Sequence, residues 1–426
     1  MNHAKLASIC LVAVVAATPA ILADRAAAQA PPLTATEVLT GLENPWDMAF
    51  LPDGTMFFTE KCRGLSVRLP SGEVNPLLGM SGAAGFLDMA YDLFCEGQAG
   101  MMGVAVDPEF ETNRYIYVYS TSSLTPPATN RVMRLVVSND LSSVSGRTDI
   151  VTDIAFKRRA SNHPFGGPGA HNGGRIRFHP GDGLLYVTTG DTHNGLVPQS
   201  PTLIGGKVLR INRDGAAAPH NNPPPGYDPR IFTYGHRNVQ GIAFRPGDGA
   251  VVVAEHGPWH SDEITMLVPG GNGGWDPRPN MAGREACPDN YCGYSPNQMD
   301  GMDPAARAAY MPMTDLATYP DAMKPAWNNN GLSQGSGSAA FLEGEQWGDW
   351  NGRMVVGIMG IGFGGTPVGQ RIDVIDLAAD GQSVNSVDAM TLPIPDARFR
   401  SVVLGPDGAL YVATDEGDIV ALTPGG

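Results

Sequence analysis

A short apolar alternation, a turn built from Pro, Asp and Gly, and a second apolar run recur six times along this chain. The copies are MAFLPDGTMFF from Met48, VAVDPEFETNRYIYVY from Val104, IRFHPGDGLLYVTT from Ile176, IAFRPGDGAVVVAE from Ile242, AAFLEGEQWGDWNGRMVVG from Ala339 and VVLGPDGALYVATD from Val402. Period-two alternation marks strands and the Pro/Asp/Gly clusters mark turns, so each copy predicts a hairpin. One hairpin holds too little apolar surface to stand alone, so the units must stack on one another. Radial stacking of four-stranded sheets achieves this and leaves only short, protected edges. The pattern predicts an all-β fold, a six-bladed β-propeller with long inserted loops, formed as a single domain over residues 29–426. A tandem of β-sandwiches would carry sharper linkers than this chain has.

The largest insertion lies between about residues 270 and 335 and contains GGNGGWDPRPNMAGREACPDNYCGYSPNQMDG. Long loops inside a compact domain are usually functional or disordered. Here Cys287 and Cys292 close a tight loop, CPDNYC, which predicts an ordered wall or lid.

The N-terminus changes the compartment. Lys5 precedes the apolar run LASICLVAVVAATPAILA, and small residues follow at Ala26, Ala27 and Ala28, the layout of a secretory signal peptide over residues 1–28. Cleavage is expected after Ala28, with Ala23 as an alternative; an uncleaved anchor is the competing reading of a run of about 18 apolar residues. The expected location is periplasmic or secreted, with no membrane insertion after cleavage. Losing Cys10 with the signal leaves four cysteines, and an even count in an exported chain favours disulfides, with Cys62 and Cys95 as the second natural pair.

The chain carries a formal charge of −15, and removing Lys5 and Arg25 against Asp24 takes it to −16. Nucleic acid and anionic membranes need basic faces, so neither is an expected partner. A partner is either neutral or gripped by a small local basic pocket.

Propellers place their sites where loops from every blade converge, at one end of the channel. Polar residues flanked by glycines just before or after an inner strand are therefore the candidates: Glu96-Gly97-Gln98-Ala99-Gly100, His171-Asn172-Gly173-Gly174, Gly235-His236-Arg237-Asn238, Glu255-His256-Gly257-Pro258 and Arg398-Phe399-Arg400. Taken singly, each has a plain explanation. A lone histidine before a strand is more often a hydrogen-bonded surface residue, Arg398 and Arg400 alternate as outward residues on any strand would, and Lys157-Arg158-Arg159 reads as a solvated loop.

As an ordered set, GLENPWDMAFLPDG, GQAGMMGVAVDPEF, HNGGRIRF, GHRNVQGIAF, EHGPWHSDEI with GGNGGW, and RFRSVVLGPDGALYV resemble the soluble, exported PQQ-dependent sugar dehydrogenases, the glucose/sorbosone dehydrogenase family that includes aldose sugar dehydrogenases. The resemblance covers nearly all of the chain after the signal. It implies His171 as the catalytic base and Asp191 as the carboxylate that orients it, with Arg237 polarising the quinone oxygen. It also implies that Gln98 and Asn238 contact substrate or cofactor, and that Arg398 and Arg400 bind the cofactor's carboxylates through their planar forks. Gly257 and Pro258 match carbonyl ligands of a calcium ion against the cofactor, and Glu263 with the backbone of Gly273 matches a second, structural calcium site. His163, His179, His193, His220, His236, His256 and His260 have no such support, and Trp327 is either an aromatic wall of the site or a packing residue. Two departures stand out: Ala170 replaces an aspartate found in some members, and Met359 stands where a cofactor-contacting lysine is common.

The expected activity is oxidation of an aldose, or a related aldehyde or alcohol, at C1 to a lactone or acid. Hydride goes to PQQ, and electrons pass on to an external acceptor such as a quinone, a dye or a small redox protein. The competing readings are a calcium-dependent lactonase-type hydrolase and a non-catalytic propeller that binds a ligand through its loops.

Overall fold

In the computed structural model, which describes residue 1 and residues 30–124, 128–157, 168–277, 303–360 and 369–425, the six hairpins are the inner pairs of six sheets, antiparallel except for one short parallel outer strand in blades 1 and 3. Blade 1 opens with Pro45–Phe50 and Met56–Glu60, blade 2 with Met101–Val106 and Tyr115–Ser122, and blade 3 with Gly173–Phe178 and Leu185–Thr189. Blade 4 follows with Val239–Phe244 and Val251–Glu255, blade 5 with Ser336–Phe341 and Met354–Ile358, and blade 6 with Phe399–Leu404 and Leu410–Thr414. The predicted six-bladed propeller is the observed fold.

Burial follows the radial position. Leu185–Thr189 is buried throughout, whereas the outermost strand of blade 5, Val384–Ala389, has no buried residue. Neighbouring blades join through apolar faces: Phe57 and Leu65 of blade 1 pack with Val104, Ile116 and Met133 of blade 2, and Val355 and Ile372 of blade 5 with Val402 and Leu410 of blade 6. Each such large side chain contributes about 1.5–3 kcal/mol by leaving water. The ring closes by a device the repeats did not reveal. The strand Leu33–Leu39, ahead of the first hairpin, supplies the outer strand of blade 6 and pairs with Ile419–Pro424 from Leu33 opposite Pro424 to Leu39 opposite Ile419.

A buried charge cluster fills the middle of the channel. Arg175, fully buried, lies 4.2 Å over the Trp46 ring, 2.5 Å from Asp47, and donates to the carbonyls of Gln240, Trp46 and Arg400 and to Ser401. Arg177 forks onto the same Asp47 at 2.7 and 2.8 Å.

The Cys62–Cys95 disulfide is formed. The signal segment, the Cys287–Cys292 pair, His163, Arg158 and Arg159 lie outside the described residues. No helix among the described residues is long and apolar enough to cross a membrane.

Candidate active site

The third hairpin carries its chemistry at its two ends. Gly173 pairs with Thr189, so the residues just beyond them, His171 and Asp191, arrive at one end of the channel together, with Nδ1 of His171 2.7 Å from Oδ1 of Asp191. The glycines between are steric requirements. A Cβ on Gly173, at φ +64°, would come within 2.6 Å of the Thr189 backbone, and one on Gly190 within 2.0 Å of the His171 carbonyl oxygen. Asp191 is held by two further donors, the His193 amide at 2.9 Å and the Trp275 indole at 2.8 Å.

Arg237 completes the histidine's surroundings. Its Nη2 lies 3.1 Å from Nε2 of His171, and its Nη1 donates to the His256 carbonyl at 2.6 Å. A guanidinium can only donate, so Nε2 is an acceptor and the ring proton sits on Nδ1, facing Asp191. The loop that bears Arg237 is braced by Glu255, whose carboxylate accepts from the amides of Arg237 and Asn238 and faces His236 Nδ1 at 2.9 Å. Asn238 in turn accepts from the Gly173 amide at 3.1 Å and ties the third hairpin to blade 4.

These groups open into a cavity of about 380 Å³, whose walls include Gln98, Asn172, His193, Gln240 and Trp259. Four of its lining residues are permanent or usual cations, Lys61, Arg237, Arg398 and Arg400, and none is a carboxylate. Arg400 grips Asp415 through Nε at 2.8 Å and Nη2 at 2.7 Å, while Arg398 reaches the same carboxylate at 2.9 Å and the carbonyls of Met359 and Gly360. Burial alone would raise the Asp415 pKa, but the two guanidiniums outweigh it and hold the carboxyl below its usual value. His256, also on the wall, is pushed down to about 4 by burial and by Arg237, Arg398 and Arg400, so it is neutral at pH 7.

Gly257 lines this cavity, with its amide held at 2.9 Å by Asp262, and Pro258 next to it is buried. Asp262 also takes the Ser333 hydroxyl and the Gln334 amide, which fixes the turn. Glu263 sits elsewhere, paired in register with Glu255 across two strands of blade 4. It accepts from Thr314 and Asn328, and burial together with repulsion from Glu255 raises its pKa to about 8. A Cβ on Gly273 would meet the Gly235 carbonyl and the His236 ring. Carbonyl oxygens at one place and buried carboxylates at the other are both hard-ligand sets that fit calcium. Among the described residues no three His, Cys, Asp or Glu side chains cluster as a metal cage.

Several expectations need correction. Lys157, read as part of a solvated loop, is buried at 1 % exposure, within electrostatic reach of Asp191, and its pKa is lowered to about 8 mainly by desolvation. Of the two readings left open for Trp327 the structure shows packing: it lies against the apolar cluster between blades 4 and 5, and Trp46 and Trp259 are the tryptophans on the cavity wall. His193, set aside in the sequence, has its ring 3.7 Å from that of His171. Sequence reasoning assigned no role to Trp275 or Lys61, and it placed Glu255 in a candidate stretch without foreseeing that it braces the Arg237 loop.

A six-bladed propeller with a histidine–carboxylate pair and a cationic cavity at one channel end belongs to the class of propeller enzymes. The chain belongs to the glucose/sorbosone dehydrogenase family, whose sequence model matches residues 42–421. It is 29% identical to aldose sugar dehydrogenase YliI of Escherichia coli over 95% of this chain and 97% of that one. It is 30% identical to quinoprotein glucose dehydrogenase B of Acinetobacter calcoaceticus over 58% of this chain and 52% of that one. Among solved structures, a putative oxidoreductase (glucose dehydrogenase) of Thermus thermophilus is 29% identical and superposes with a TM-score of 0.66, covering 92% of this chain and all of the other.

Proposed function

We propose that this chain is an exported PQQ- and calcium-dependent dehydrogenase that oxidises aldose sugars at C1 to lactones and passes the electrons to an external acceptor. The observation that carries the reading is the His171–Asp191 pair facing a cavity lined by four cations and no carboxylate. A catalytic base belongs there for a sugar hydroxyl, and a surplus of cations belongs there for a tricarboxylate. Kinship with a quinoprotein glucose dehydrogenase and an aldose sugar dehydrogenase supports the same substrate class.

The residues act in order. Nε2 of His171 is free of its proton and directed to the cavity, where a C1 hydroxyl replaces Arg237 as the donor to it. The proton passes from that oxygen to Nε2, and the imidazolium so formed is steadied through Nδ1–H by Asp191. Bound PQQ supplies the two-electron acceptor for the hydrogen leaving C1. Arg237, released from the imidazole, is a fixed donor for negative charge that develops beside it. Arg398 and Arg400 would hold the cofactor's carboxylates, Gln98 and Asn238 its edge or the sugar, and the Gly257 and Pro258 carbonyls the calcium.

Reconstitution tests the reading. Purified apoprotein given PQQ and calcium should oxidise aldoses in a dye-linked assay, and His171→Ala should lower turnover by roughly 10²–10⁴ while retaining PQQ. Full turnover in chelated, PQQ-free protein, or ordinary kinetics in His171→Ala, would overturn it.

A further inference from the structure

Blade 6 carries the two cavity arginines, and its neighbours in the ring are blades 5 and 1. In every one of these blades the residue after the second strand reaches the channel mouth. It is Met359 in blade 5 just past Met354–Ile358, Asp415 in blade 6 just past Leu410–Thr414, and Lys61 in blade 1 just past Met56–Glu60. Met359 and Lys61 therefore flank the arginines from opposite sides, and both line the cavity. Where the family resemblance led one to expect a lysine, blade 5 offers a thioether that carries no charge and donates nothing. The cation stands instead on the other side of blade 6.

We propose that Lys61 is a third cationic contact for a carboxylate of the cofactor and takes over the role absent at Met359; this rests on the reading that the cavity binds PQQ.

The alternatives do not reach the site. Arg371 is bound to Asp373, Gln334 and the Gly369 carbonyl. Of the other lysines after the signal segment, Lys207 is buried on the carbonyls of Val197 and Pro198, Lys324 is exposed away from the cavity wall, and Lys157 does not line it. Lys61 is also held in place. Its amide donates to Asn44, its carbonyl accepts from Met101, and Nζ donates to the Gly97 carbonyl at 2.9 Å. A Cβ on Gly100 would come within 2.7 Å of Lys61 Cγ, so that glycine leaves room for the side chain. The adjoining Cys62–Cys95 bond ties the turn to the segment that carries Gln98. Desolvation first, and then the Arg400 charge, lower the Lys61 pKa from the usual lysine value. The Asp415 charge only partly offsets this, and among the described residues the ammonium makes no direct ion pair, so a ligand carboxylate would supply one.

Calorimetric titration of apoprotein with PQQ at saturating calcium reads this directly. Lys61→Gln should weaken binding by about ten- to a hundredfold, the size of one charge-assisted hydrogen bond. Lys61→Arg, which keeps the charge, should stay within about threefold of the parent. An unchanged thermal midpoint in both variants separates contact from folding. Parental affinity in Lys61→Gln, or an equal loss in Lys61→Arg, would overturn the assignment of Lys61 while leaving the cofactor reading intact. No PQQ binding by the parent protein would remove that reading and the inference with it.

Discussion

The middle of the channel and its mouth are built from the same parts, two arginines on one aspartate, and differ in what the remaining donors do. In the middle, Arg175 and Arg177 share Asp47, and Arg175 directs its other N–H groups to three carbonyls, a serine hydroxyl and the face of Trp46. At the mouth, Arg398 and Arg400 share Asp415, but Nη1 of Arg400 has no partner among the described residues, and Lys61 uses a single carbonyl. Charge count alone does not distinguish a structural cluster from a binding wall. The distinction lies in whether donors are closed off by protein or left facing a cavity.

The sharpest way to break the comparison is to neutralise the two aspartates. Asp47→Asn leaves Arg175 buried beside a neutral amide and should cost about 3–5 kcal/mol of stability, the usual penalty for breaking a buried pair. Asp415→Asn should cost less than Asp47→Asn, because the side chains of Arg398, Arg400 and Asp415 keep 31 %, 19 % and 16 % exposure, whereas Arg175 and Asp47 keep none. Denaturant midpoints measure both, and equal losses would dissolve the distinction.

A smaller effect concerns acid. Both aspartates titrate below the usual carboxylate value, because the arginine charges outweigh the desolvation that would raise them. A depressed carboxylate contributes stability that is present above its unfolded pKa, about 3.9, and lost as pH falls through the folded value. The stability gap between the parent and Asp47→Asn should therefore narrow as pH drops below about 4, and the Asp415→Asn gap should narrow likewise with smaller amplitude. A gap that widens on acidification would contradict the assignment.

What the sequence made legible follows from how local each signal is. Hairpins were readable because alternation and turn chemistry lie within some fifteen residues, and His171 with Asp191 because one hairpin brings its own ends together. Closure by Leu33–Leu39 was hidden, since pairing with Ile419–Pro424 joins opposite ends of the chain. Trp275 and His193 act through contacts between separate loops, which no spacing records, and the hold of Glu255 on the Arg237 loop appears only once the strand end is folded. Lys157 looked solvated because a run of three cations usually is, yet just past the last strand of blade 2 it is buried within electrostatic reach of Asp191. For Lys61 a signal did exist: lysine is scarce in this chain, and this one directly follows an apolar strand, as Met359 and Asp415 do.

In the proposed function the mouth's open donors hold an anionic quinone cofactor. Equilibrium titration of calcium-loaded apoprotein with PQQ, repeated across ionic strength, tests it most directly. The expected result is saturable one-to-one binding that weakens steadily as salt screens the partly exposed cations. Absence of saturable binding at low salt, or an affinity indifferent to salt, would contradict it.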